Sequence, residues 1–433
     1  MKNILIILFF ITGFNTAFAN DGWLNILNEG GNNKGIKCTE AIQNAIEKAS
    51  KNGGGTIFFP AGEYLTGALK LKSNITIHLD SGALLKFSDN FDDYLPYVEM
   101  RYEGLVMKSF SPLFYAKDAE NITIKGRGVI DGQGKAWWNE VYRIETAKGP
   151  IPQTKYQKMW EEQNQDIVYS PYYKRTIDKK FFRPSFFQAY GCKNILIEGV
   201  TFQNSPFWTI NPEFCDNVTV TGISIFNPHS PNTDGINPSS CTNVHISNCH
   251  ISVGDDCITI KSGRDADGRK YGKATENVTI TNCTMLSGHG GVVIGSEISG
   301  NVRNVFAENC TMSSPNLDRA LRIKSNSRRG GIAENIYMRN VTVGDLAEAV
   351  VHVDLFYMKE TGEYLPSVRN IHVKNVTSKN SPYAVYINSD NAYPVENIVI
   401  EDCAFDGVKK GNLLKGFKNL TFKNVTVNGE KQK

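Results

Sequence analysis

Three carboxylates in two short stretches are the residues best placed to do chemistry: Asp234 in SPNTDGINP, and Asp255 with Asp256 in VGDDCITIK. Asp234-Gly-Ile and Asp256-Cys-Ile are the same phrase, 22 residues apart. If each opens an equivalent strand in neighbouring layers, their side chains stand about one strand spacing (~4.8 Å) apart and can share a water molecule. Asp255 must point elsewhere, because strand residues alternate faces and Gly254 allows a bend beside it. Two carboxylates that activate water, opposed by a third kept protonated by negative neighbours, make the division of labour of inverting glycoside hydrolysis. That reaction places acid and base ~6.5–9.5 Å apart. Either stretch alone is an ordinary turn, and only their alignment sets them apart.

Two further stretches follow at the same place in the next layers: Ser287-Gly288-His289-Gly290, then Arg322-Ile323-Lys324. Arg322 and Lys324 share one face of a strand and Ile323 takes the other, so with Ile323 in the core both cations face solvent. Successive layers then read carboxylate, carboxylate pair, imidazole and paired cations along one stripe. Such a stripe is a cleft for an anionic sugar chain, with carboxylates to cut it and Arg/Lys to hold its acid group. Taken singly, a solvated charged face and a structural histidine at a corner are the plainer readings.

A repeat positions these residues. One phrase recurs, Asn followed by apolar-x-apolar-x, a turn residue, and Cys or Val: NITIKGR from Asn121, NILIEGV from Asn194, NVTVTGI from Asn217, NVHISNC from Asn243 and six more through NLTFKNV from Asn419. Alternation with period two, rich in Ile, Val and Thr, is a strand buried on one face. Its sixth position is Asn, Gly or Asp, which tolerate the left-handed backbone, so a sharp bend is expected there. Strand, bend and strand, stacked every ~25 residues, predict an all-β fold, a single-stranded right-handed parallel β-helix. A two-sheet sandwich is the alternative. Cys249, Cys283, Cys310 and Cys403 fill the seventh place and are expected as interior wall. Cys192, Cys215 and Cys241, each two residues before a repeat Asn, are close enough in such a stack for a disulfide. Nine cysteines leave at least one thiol unpaired within the chain.

Ahead of the repeats, Thr39 is placed to cap a helix over Glu40–Ala49, with Ile42, Ala45, Ile46 and Ala49 on the face that plugs the solenoid. Between Trp138 and Phe187 the rhythm breaks into a long polar, aromatic insertion (about 138–187) containing Tyr156, Trp160, Tyr169, Tyr172, Tyr173, Lys174 and Arg175. Such an insertion reads as a functional wall or as a surface loop. Composition sets the outer bounds. Of 433 residues, 41% are hydrophobic, enough for a large core, and 47 Lys+Arg against 44 Asp+Glu leaves no basic excess for nucleic acid or a membrane surface. Lys2, the apolar run Ile4–Phe14 and Ala17-Phe18-Ala19 make residues 1–19 a cleavable signal peptide, so a secreted or periplasmic protein is expected with 20–433 as one catalytic domain.

The motifs NTD, GDD, SGHG and RIK in this order closely resemble the polygalacturonase family, glycoside hydrolase family 28. GGGTIFFPAGEY, NSPFWTINP, SGRDADGRK and KSNSRRGG extend the resemblance over nearly the whole mature chain, and the last two resemble the bacterial exo-acting branch. The resemblance implies cleavage of the α-1,4-galacturonosidic bonds of polygalacturonate with inversion, from a chain end. It implies Asp255 as general acid, Asp234 and Asp256 as activators of water, His289 as support for the carboxylates, and Arg322 and Lys324 as ligands of the galacturonate carboxylate. Asn232 and Tyr357 are further candidate contacts, Tyr357 as the family's tyrosine. Asn211 departs from the expected His, which puts a subsite contact in doubt. Arg264, Arg269, Lys270, Arg328 and Arg329 would suit a second uronate. No cofactor or metal is needed, the partner is a pectic polysaccharide or oligogalacturonide, and a monomer is expected. A rhamnogalacturonan or xylogalacturonan hydrolase keeps the three carboxylates, a calcium-dependent lyase would use the acidic cluster as a metal site, and a non-catalytic glycan-binding β-helix would use none of this chemistry.

Overall fold

The computed structural model describes residues 22–168, 178–227 and 230–433. The proposed signal peptide and Tyr169, Tyr172, Tyr173, Lys174 and Arg175 of the insertion lie outside the described residues. The chain winds as the repeat predicts, into a parallel β-helix. Each phrase pairs in parallel and in register with the next: Ile197 with Val220, Val220 with Ile246, Ile246 with Ile280 and Ile280 with Ala307. These side chains are buried, and the alternate residues face outwards. Burial of one face in every layer makes a continuous core along the axis.

The bends form where expected. Asn248, Asn282, Asn309, Asn340, Asn375, Asp402 and Asn424, at the sixth position, all have φ between 51° and 56°. The leading Asn of each phrase is left-handed too, and stacks. Nδ2 of Asn304 donates to Oδ1 of Asn277 (3.1 Å), and Asn335 donates to Asn304 (2.9 Å). Asparagine tolerates that backbone and satisfies its neighbour one layer away.

A six-stranded sheet carries the site: Asp256–Ile260, Gly290–Gly295, Arg319–Lys324, Ala349–Asp354, Tyr383–Asn388 and Leu413–Lys415. Single parallel bridges continue it backwards, Ile258 to Ile236, Ile236 to Ile210 and Ile210 to Phe187. Asp234 and Asp256 therefore do stand at equivalent places in adjacent layers.

Three expectations are refined. All nine cysteines are buried free thiols, so the stack of Cys192, Cys215 and Cys241 is not disulfide-bonded. The first helix runs Thr39–Lys51 with Cys38 at the cap position; the Thr39 hydroxyl accepts instead from the Gly67 amide (2.6 Å), tying the helix to the sheet. The predicted apolar face, Ile42, Ala45, Ile46 and Ala49, is the buried one. The described part of the insertion is no simple surface loop, because it contains helices at Lys155–Gln163 and Gln165–Val168 and most of one at Lys135–Glu145. Trp137 and Trp160 are fully buried, Trp137 against Phe91 and Phe110 and Trp160 against Phe182. An antiparallel hairpin, Val98–Tyr102 with Leu105–Ser109, completes this assembly.

Candidate active site

Asp234, Asp255 and Asp256 converge, with one oxygen of each within 4.8 Å of the others. Asp256 is 1% exposed and accepts from Arg322 Nη1 (3.1 Å) and Lys324 Nζ (2.7 Å). Burial works against its charge, but Lys324, Arg322 and Lys261 outweigh burial and hold the carboxyl well below the ordinary range. Asp234, also buried, accepts from Asn237 Nδ2 (2.9 Å) and lies 3.6 Å from Lys261 Nζ. Burial, and then the charge of Asp255, push it up to about 8. Of the two buried carboxyls, Asp234 is thus the one driven towards its protonated form. Both carboxyls are buried, and the difference lies in their partners: Arg322 and Lys324 hydrogen-bond to Asp256 and not to Asp234.

Asp255 is the carboxylate within reach of the cleft. Its Oδ1 is 3.0 Å from His289 Nδ1 and accepts from the Asp256 amide (3.0 Å); Asn232 Nδ2 donates to Oδ2 (3.5 Å). His289 is half exposed, and its bond to Asp255 raises its pKa. Gly288 makes the arrangement possible: its φ is 145°, and a Cβ there would lie 2.2 Å from the Asp255 carbonyl oxygen.

Arg322 and Lys324 do not face open solvent. Ile323 points into the core as expected, yet the two cations are only 8% and 5% exposed and lie on Asp256. Two features explain this. Arg322 is in register with Val293, so it stands three residues beyond Gly290, the partner of Asp256. Gly290 has no side chain to intervene, and a Cβ there would lie 3.4 Å from Arg322 Cβ, so the guanidinium lies back across one layer. Tyr357 covers the pair, its ring centre 5.7 Å from the Arg322 guanidinium and 5.2 Å from Lys324 Nζ.

Other candidates are engaged within the protein. Asn211 is fully buried, hydrogen-bonded to Gln188 (2.7 Å) and Glu213 (3.1 Å), so it is an interior bracket and not a sugar contact. Arg264 pairs with Glu103, Arg328 with Asp265 and Arg329 with Glu297; Arg269 stacks 3.5 Å over Tyr364, and Lys270 lies beside Tyr271. Each of these cations already has a partner within the protein.

Sequence reasoning passed over Lys261, buried between Asp234 and Glu297 (2.9 Å), and Arg183. Lys261 was legible: Ile258-Thr259-Ile260-Lys261 and Leu321-Arg322-Ile323-Lys324 are the same strand two layers apart, and Lys261 occupies the column of Lys324. Arg183 closes one side of the site. It donates to the Pro206 and Pro231 carbonyls (2.9 and 2.7 Å) and to Asn232 Oδ1 (2.8 Å), and lies over the Phe207 ring. Tyr102 of the hairpin stacks on Phe207 (4.4 Å), and Phe207 on Trp208, one layer before Asp234. The cleft thus ends against packed aromatic rings on its N-terminal side. On the C-terminal side it continues into an open cavity of about 360 Å³ beyond Arg322 and Lys324. The three acidic groups have the spacing of a cation site, but Lys261, Arg322 and Lys324 already balance their charge.

A parallel β-helix with convergent carboxylates over buried cations defines a class of polysaccharide-cleaving proteins. The chain belongs to the glycosyl hydrolases family 28, whose profile matches residues 171–429; residues 23–149 match a rhamnogalacturonase A/epimerase, pectate lyase-like profile. A probable polygalacturonase of Vitis vinifera is 30% identical to it, over 84% of this chain and 70% of the relative. An exo-poly-alpha-D-galacturonosidase of Dickeya chrysanthemi is 29% identical, over 93% of this chain and 71% of the relative. The crystal structure of a hyperthermoactive exopolygalacturonase from Thermotoga maritima is similar at a TM-score of 0.85 and 39% identity, covering 95% of this chain and 92% of that one.

Proposed function

We propose that this protein is a polygalacturonase that hydrolyses α-1,4-galacturonosidic bonds and releases galacturonate from a chain end. The observation that carries this reading is the asymmetry of the cleft: three convergent carboxylates, aromatic rings packed across one end, and an open channel lined with cations at the other. The terminal sugar sits between the aromatic wall and the carboxylates. The rest of the chain runs out over Arg322, Lys324 and Tyr357, which supply charge and a ring face to the uronate after the scissile bond.

In this reading Asp255 protonates the leaving oxygen, held in place by His289 and Asn232. Asp256 is the ionised carboxylate beneath, and it orients a water shared with Asp234. The oxygens are closer than the ~6.5–9.5 Å usual for inversion. The side chains of Asp234 and Asp256 are nevertheless only 3% and 1% exposed, so neither can reach an anomeric carbon, and water is left as the nucleophile. Proton NMR of the first product decides this: the β-anomer from an α-linked substrate supports inversion, and the α-anomer would refute it.

We read residues 20–433 as one catalytic domain, exported by the signal peptide and acting as a monomer on a polymer too large to enter a cell. No described helix is long and apolar enough to cross a membrane.

A further inference from the structure

The two oxygens of Asp255 are held unequally. Oδ1 accepts from the Asp256 amide (3.0 Å) and lies 3.0 Å from His289 Nδ1, whereas Oδ2 meets, among the described residues, only Asn232 Nδ2 (3.5 Å). Oδ2 is therefore the oxygen left to face a leaving group, and its direction depends on Asn232. Asn232 is exposed and left-handed (φ 50°), and a free amide at such a place can turn either end to Asp255. With its oxygen turned that way, two acceptors would oppose each other. Arg183 decides the matter. A guanidinium carries donors only, and its Nη2 donates to Asn232 Oδ1 (2.8 Å), which leaves Nδ2 for Asp255. Arg183 is itself firmly placed: it is 2% exposed, Nη1 donates to the Pro206 and Pro231 carbonyls (2.9 and 2.7 Å), and the guanidinium lies 5.0 Å from the centre of the Phe207 ring on which Tyr102 stacks. One buried side chain thus ties the aromatic wall to the amide beside the acid.

We propose that Arg183 is a positioning residue for proton transfer, holding the Asn232 amide so that Nδ2 fixes the direction of Asp255 Oδ2. The inference rests on the proposed hydrolysis and deepens it: the wall that ends the cleft also aims the acid. As the glycosidic C–O bond breaks, the departing oxygen keeps the bonding pair, takes the proton of Asp255 and leaves as a hydroxyl; water adds at the anomeric carbon and gives its proton to the buried carboxylates. Fluoride leaves as a stable anion without a proton from Asp255. A fault confined to the acid therefore slows cleavage of an oligosaccharide far more than that of a glycosyl fluoride.

The ratio of kcat on trigalacturonate to kcat on α-galacturonosyl fluoride reports this step. It is expected to fall about tenfold in Arg183→Met and in Asn232→Gly, glycine being tolerated at this φ, and no further in the double variant, because both residues act through one hydrogen bond. Arg183→Lys keeps a donor for Asn232 Oδ1 and is expected to lose only about threefold, a deficit that vanishes when Asn232→Gly is added. That second cycle keeps the test if Arg183→Met fails to fold by circular dichroism. An unchanged ratio in the single variants, or losses that multiply in the double variant, overturns this inference alone. No hydrolysis of trigalacturonate by the unsubstituted protein overturns the proposed function and this inference with it.

Discussion

Each acidic residue of the site is defined by what compensates it. Asp255 is the carboxyl at the surface of the cleft, so Asp255→Asn is expected to lower kcat by ~10²–10⁴-fold and to leave binding of trigalacturonate within a few-fold, as read by calorimetry. A loss of binding with kcat retained would reassign it. Asp234 gives a stability prediction of definite sign. Its carboxyl keeps its proton to about 8 in the folded protein, whereas the ordinary value is 3.8. Between these values the unfolded chain binds fewer protons than the folded one, so this group costs stability as pH rises. Asp234→Asn is expected to melt a few degrees above the unsubstituted protein at pH 8, with the gap closing towards pH 4. The carboxylates, His289 and the two cations were legible as a constellation because their motifs follow the repeat. The ion pairs were not, since contact between Arg322 and Asp256 spans 66 residues and depends on the bare Gly290 between them.

At the scale of elements, the period-two phrase and its left-handed Asn were legible because strand burial and backbone sterics are local. The asparagine ladder is a consequence of stacking, and it makes a test. Asn304 donates to Asn277 and accepts from Asn335, with φ at 58°. Asn304→Ala is expected to cost about 2–3 kcal/mol through lost hydrogen bonds and left-handed strain, and Asn304→Gly about half that, because only the bonds are lost. Equal midpoints of urea unfolding for the two would show that the strain is absent. Gly288→Ala should displace the Asp255 backbone and lower kcat about 10²-fold with the far-ultraviolet circular dichroism unchanged. The helix cap was misread because Thr39 had a better partner in Gly67, 28 residues away. Sequence spacing has no access to such a contact.

The whole molecule is a solenoid closed against one end of its own cleft. The hairpin at Val98–Ser109 and the helices after Lys135 carry few repeat signals, so the wall they build with Arg183, Phe207 and Tyr102 appears only in three dimensions. The wall accounts for cleavage from a chain end. The most direct test incubates the protein with defined galacturonate oligomers and with rhamnogalacturonan, with EDTA present, and reads products by size and ultraviolet absorbance. Galacturonate alone, with no unsaturated sugar and no cleavage of rhamnogalacturonan, is the predicted result. Mixed short oligomers would contradict chain-end attack, and an unsaturated product or no cleavage of galacturonan would contradict the hydrolase itself.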